Sequence, residues 1–120
     1  MKTWKDLVHE AKQEITLLQV SDVKQKMDRQ DDFLLVDVRE ADEYQKGRVP
    51  ESALIPRGVL EMTIEQHVKD SSKMIILHCA GGGRSAVAAL SLKKMGYENV
   101  ASMEGGFGEW VRAGYPTETP

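Results

Sequence analysis

Alternation of strand-like and helix-like segments predicts an α/β domain with a central, mostly parallel five-stranded sheet flanked by helices on both faces. Three observations carry this. Two apolar runs, Phe33 to Val38 and Met74 to His78, have the unbroken character of strands buried on both faces. Helical spacing separates them, and Gly or Pro punctuates the joins. The 120 residues suit one domain, of which 41% are hydrophobic and 29% charged.

The elements follow in order. Trp4, Leu7, Val8, Ala11 and Ile15 recur at helical spacing, and Thr3 with Asp6 forms a capping box. Residues 1–15 therefore read as an amphipathic helical extension, its stripe packed on the domain's own core or on a second copy. Residues 16–120 read as the domain proper. Thr16 to Val20 is a short strand, and Ser21 caps a helix on which Val23 and Met27 share a face. After the Phe33 strand, Ala41 to Lys46 is a helix ending at Gly47. Ala53 to Ile55 is a strand stopped by Pro56, and a helical turn begins near Val59. Arg84 to Met95 is a helix closed by Gly96, Val100 to Met103 a strand, and Gly106 to Ala113 a last helix turning Phe107, Trp110 and Val111 inward.

Composition removes several functions. A net charge of −3 and a pI near 5.6 provide no basic face for nucleic acid. The longest apolar run, Ala86 to Leu90, is far short of the roughly 20 residues of a membrane span. Charged residues from Lys5 to Glu14 interrupt any leader-like apolar core. The single cysteine cannot form an internal disulfide and suits a reducing compartment, so a cytoplasmic setting is expected.

In parallel sheets the binding crevice lies beyond the carboxyl ends of the strands, which directs attention to Cys79. The segment Cys79-Ala80-Gly81-Gly82-Gly83-Arg84-Ser85 joins a buried strand to a helix. Successive glycines let the backbone wrap with N–H groups inward, and the helix start adds free donors and a positive dipole end. Thiols so placed beside an arginine commonly ionise between about pH 3.5 and 7.5, against about 8.5 for free cysteine. Cys79 is the candidate nucleophile, needing no histidine base, and Arg84 offers a planar fork for an oxyanion. A lone cysteine at a strand end is otherwise a small buried hydrophobe; three consecutive glycines before Arg-Ser argue for chemistry.

These residues resemble the rhodanese-like sulfurtransferase family, whose loop pattern C-x-x-G-x-R-S is matched by Cys79, Gly82, Arg84 and Ser85. Leu35-Val36-Asp37-Val38-Arg39 with Glu43-Tyr44, and Glu104-Gly105-Gly106-Phe107 before Trp110 and Gly114-Tyr115-Pro116, are similar to further landmarks. The resemblance runs from about Thr16 to Pro116. It implies transfer of sulfane sulfur from thiosulfate or a low-molecular-weight persulfide to a thiol or cyanide-like acceptor through a Cys79 persulfide. The amides of Ala80, Gly81, Gly82, Gly83, Arg84 and Ser85 would hold the outer sulfur. It implies no metal or organic cofactor, a possible protein acceptor, and a monomer or homodimer. Where the family commonly reads G-H-I-P-G-A, this chain has Gly47-Arg48-Val49-Pro50-Glu51-Ser52.

Two other readings remain open. A non-enzymatic sulfur carrier or docking module would use the same loop with a protein partner. A phosphatase or arsenate reductase needs C-x5-R, which places arginine at position 85, where this chain has Ser. Asp37, Arg39 and Glu43 are expected as a charge-paired support for the crevice wall. Arg57 is a candidate for drawing in an anionic donor, with Glu61 as its neutralising alternative. His9 and His67 read as surface residues, His78 as facing away from Cys79, and Trp4 and Trp110 as core.

Overall fold

The computed structural model describes residues 1–120. Six α-helices and five strands alternate: α1 (Trp4–Glu14), β1 (Thr16–Leu18), α2 (Val20–Asp28), β2 (Phe33–Asp37), α3 (Ala41–Lys46), β3 (Ala53–Leu54), α4 (Leu60–His67), β4 (Met74–His78), α5 (Gly83–Lys94), β5 (Val100–Met103) and α6 (Gly106–Arg112). A 3-10 turn, Arg57–Val59, leads into α4. All strands run parallel in the order β1-β5-β4-β2-β3, so β4 is central and the connection from β1 to β2 crosses it. No helix is long and apolar enough to cross a membrane.

Alternation along the strands divides the core in two. Val36, Val38, Ile75, Leu77 and Cys79 join Leu60, Ile64, Ala88, Ala89 and Leu92 on the face covered by α4 and α5. Leu35, Ile76 and Met103 join Val20, Val23 and Trp110 on the face covered by α2 and α6. Adjacent strand residues point to opposite faces, so Cys79 lies with α5 and His78 with the other layer.

Several sequence expectations need correction. The first strand stops at Leu18 because Gln19, not Ser21, is the N-cap: its backbone N–H donates to Asp22 Oδ2 at 2.8 Å. Val111 is half exposed, since the short α6 buries only the stripe through Gly106 and Trp110. Trp4 is 53% exposed. Helix α1 packs along α5, so Ala11 is fully buried while Trp4 and Leu7 overhang its edge. The expected capping box of Thr3 and Asp6 is present.

Candidate active site

Cys79 follows the last residue of β4 and is 1% exposed. Its backbone is held from one side by the turn between β5 and α6: Phe107 N–H donates to the Cys79 carbonyl at 2.8 Å, and Gly108 N–H to the Ala80 carbonyl at 3.0 Å. Gly106 makes that approach feasible. A Cβ on it would stand 2.4 Å from the Cys79 carbonyl oxygen. From the other side Trp4 and Val8 of α1 lie against Gly83, within 3.6 Å of where its Cβ would be.

Within this clamp Gly82 N–H donates to Cys79 Sγ at 3.1 Å. Gly82 has φ +103°, a conformation open to glycine, and serves as N-cap of α5. The backbone amides of Ala80, Gly81, Gly83, Arg84 and Ser85 have no hydrogen-bond partner in the chain. The loop and the first turn of α5 thus surround the sulfur with free donors, as a helix N-terminus does for anions. Ser85 Oγ lies 3.6 Å from Cys79 Sγ and 2.8 Å from Ser102 Oγ on β5. Both serines are buried, so their hydroxyls form a short chain ending at the sulfur. Ser102 was not visible as a site residue in the sequence, because only strand register places it behind Ser85.

Arg84 does not stand free as a fork. Its guanidinium is bound end-on to Glu43 of α3, with Nη1 at 2.8 Å from Oε1 and Nη2 at 3.0 Å from Oε2. That bond holds the Glu43 carboxyl down at about 2 against 4.5, with burial opposing and the Glu40 amide assisting. Glu43 raises Arg84 in turn, and the nearby Cys79 adds to this in smaller part. The expected wall of Asp37, Arg39 and Glu43 is therefore divided. Arg39 is bidentate to Asp37 in the interior and donates to the Gly47 carbonyl at 2.8 Å, while Glu43 serves Arg84.

Arg57 makes no hydrogen bond or ion pair with Cys79 or its loop. It donates to both oxygens of Glu61 at 2.9 and 3.1 Å and lines a cleft with Leu7 and Glu14 of α1 and Val87, Leu90 and Lys94 of α5. His78 is fully buried; its Nδ1–H donates to the Cys79 carbonyl at 3.3 Å, and Nε2, without a hydrogen-bond partner, faces Asp37 Oδ2 at 3.7 Å. Burial pushes its pKa below 6.5, with Asp37 opposing. No group of three or more His, Cys, Asp or Glu side chains is placed to hold a metal. Cys79 and residues 80–85 line none of the five clefts in the molecule.

A parallel α/β sheet whose central strand ends in a cysteine, followed by a glycine loop and a helix N-terminus, defines a class of thiol-centred anion loops used for sulfur and phosphate chemistry. The family model of the Rhodanese-like domain matches residues 19–113, and the chain belongs to that family. A sulfurtransferase of Allochromatium vinosum is 30% identical over 98 residues, 82% of this chain and 90% of that protein. The thiosulfate sulfurtransferase GlpE of Pseudomonas savastanoi pv. phaseolicola is 35% identical over 91 residues, 76% of this chain and 83% of GlpE. Among solved structures, the Rhodopseudomonas palustris protein of unknown function RPA3614, called a possible tyrosine phosphatase, superposes with a TM-score of 0.88. It is 34% identical, covering 98% of this chain and 96% of that one. Some other relatives are longer: the chain spans 46% of one and 26% of another.

Proposed function

We propose that this rhodanese-like domain transfers sulfane sulfur through a persulfide on Cys79. The observation that carries the reading is the Gly82 N–H on Cys79 Sγ at 3.1 Å, within a loop whose remaining amides are unpartnered. The Cys79 thiolate attacks the sulfane sulfur of thiosulfate or of an organic persulfide. A new S–S bond forms on Cys79 as the donor's S–S bond breaks, and sulfite or a thiolate leaves with the electron pair. The outer sulfur then carries the charge, and the free amides of Ala80, Gly81, Gly83, Arg84 and Ser85 stabilise it without rearrangement. The Ser102–Ser85 chain supports the inner sulfur. A thiol, a cyanide-like acceptor or a protein thiol then takes the outer sulfur and returns the Cys79 thiolate. No metal or organic cofactor enters these steps. A reducing, cytoplasmic setting keeps the thiol available. Residues 16–120 form the catalytic unit, with residues 1–15 as a helical extension that braces the loop through Trp4 and Val8. Arg57, turned to Glu61, is left out of the donor site.

A phosphatase is disfavoured by the same geometry. Arg84 comes one residue too early for C-x5-R, and its guanidinium is engaged by Glu43. The test is intact-mass spectrometry after thiosulfate and, separately, after glutathione persulfide, with Cys79→Ser alongside. A gain of one sulfur, removed by cyanide or a reducing thiol and absent in Cys79→Ser, is expected. No adduct from either donor, with the thiol shown to be free, overturns the reading.

A further inference from the structure

Each cation found against the Cys79 loop already has a carboxylate. Arg84 is bidentate to Glu43 at 2.8 and 3.0 Å. Lys12 pairs at 2.6 Å with Glu104, whose carboxylate lies against Gly82. Arg112, beside Gly108, pairs at 2.9 Å with Glu109. Arg39 lies in the interior on Asp37, and the buried His78 is kept neutral. The remaining rim is apolar or uncharged: Trp4, Val8, Ala80 and Gly81.

Thiosulfate brings two negative charges to a thiolate, one of them on a sulfonate that the loop amides cannot serve while they hold the transferred sulfur. An organic persulfide, R–S–SH, brings no charge on the atom joined to that sulfur. We infer that the Glu43–Arg84 pair sets donor choice, so that Cys79 takes sulfur from organic persulfides in preference to thiosulfate. This rests on the sulfurtransferase reading above. The step balances: Cys79–S⁻ and R–S–SH give Cys79–S–S⁻ and R–SH, with one S–S bond formed, one broken and the proton passing to the leaving thiolate. Glutathione persulfide is the probe for this class.

The experiment compares kcat/KM for thiosulfate and for glutathione persulfide in the wild type, Glu43→Gln and the neutral pair Glu43→Gln/Arg84→Gln. Circular dichroism and thiol titration check each fold. The wild type is expected to favour the persulfide by at least about tenfold, the scale of one unscreened charge at a partly buried rim. Glu43→Gln frees the guanidinium and moves the thiosulfate-to-persulfide ratio about tenfold toward thiosulfate. The double variant restores the wild-type ratio. Equal use of both donors by the wild type, or no movement of the ratio in a folded Glu43→Gln, overturns the inference and leaves sulfur transfer standing. Should Glu43→Gln not fold, the wild-type ratio alone decides. No Cys79 sulfur adduct from either donor overturns the sulfurtransferase reading itself.

Discussion

Gly106→Ala tests the clamp on the Cys79 loop. Gly106 has φ +57°, and its added Cβ would meet the Cys79 carbonyl oxygen at 2.4 Å and the Ala80 carbonyl carbon and oxygen at 2.7 Å. Ordinary contact begins at 3.4 Å, so the turn must retreat by about 1 Å. That stretches the Phe107–Cys79 and Gly108–Ala80 hydrogen bonds, now 2.8 and 3.0 Å, beyond bonding range. Losing two such bonds costs about 1 kcal/mol each, and the left-handed conformation adds about 1 kcal/mol for a residue with a Cβ. A loss near 3 kcal/mol is expected. Gly114→Ala is the control: φ is +78°, but nothing lies within 4 Å, so only the conformational part, about 1 kcal/mol, applies. Chemical denaturation gives both values, and the rate of Cys79 sulfur loading from glutathione persulfide reports the loop. Loading is expected to fall at least about tenfold in Gly106→Ala and to hold in Gly114→Ala. A Gly106→Ala no less stable than Gly114→Ala, with loading intact, would refute the clamp.

Three further expectations follow from the same geometry. If Ser102 acts on the sulfur only through Ser85, then Ser85→Ala and Ser102→Ala each slow loading by about tenfold, and the double variant is no slower than Ser85→Ala; multiplied losses would assign Ser102 a packing role instead. Glu51 holds φ +68°, a conformation glycine adopts freely, so Glu51→Gly is expected to stabilise by about 0.5–1 kcal/mol in urea unfolding; a loss of stability counts against strain at this turn. Acid sensitivity should come in two windows. The pKa of His78 is lowered in the fold, so the unfolded chain gains a proton first and stability falls as pH drops below 6.5. Glu43, held at about 2, contributes stability above 4.5 that is lost as pH falls from 4.5 toward 2. His78→Gln should flatten the first window and leave the second; an unchanged slope between pH 6.5 and 5 would remove His78 as its source.

The parts of this structure legible from sequence are those governed by local pattern. The apolar runs of β2 and β4 lie where unbroken hydrophobicity places doubly buried strands, and three glycines after Cys79 announce a tight loop. Pairings across the fold were less accessible. Arg84 reads as a free anion fork because its partner Glu43 is 41 residues earlier on α3, and Arg57 reads as a donor contact although its guanidinium is taken by Glu61. Ser102 lies inside an ordinary strand, and only the parallel pairing of β5 with β4 carries it behind Ser85. Trp4 fits a helical stripe, but periodicity alone does not say that α5 is too narrow to cover it.

The clamp around Cys79 also bears on the order in which the chain is made. The Glu43 partner of Arg84 is synthesised well before the thiol, whereas the Phe107 and Gly108 amides that grip the loop emerge about 28 residues after it. A ribosome adds roughly 5–20 residues per second, so for some seconds Cys79 is a nascent thiol with no loop around it. The shield that leaves it 1% exposed arrives only with the last helix. Any truncation before Gly106 would therefore yield a chain with its cysteine and glycines intact and its sulfur open to oxidation.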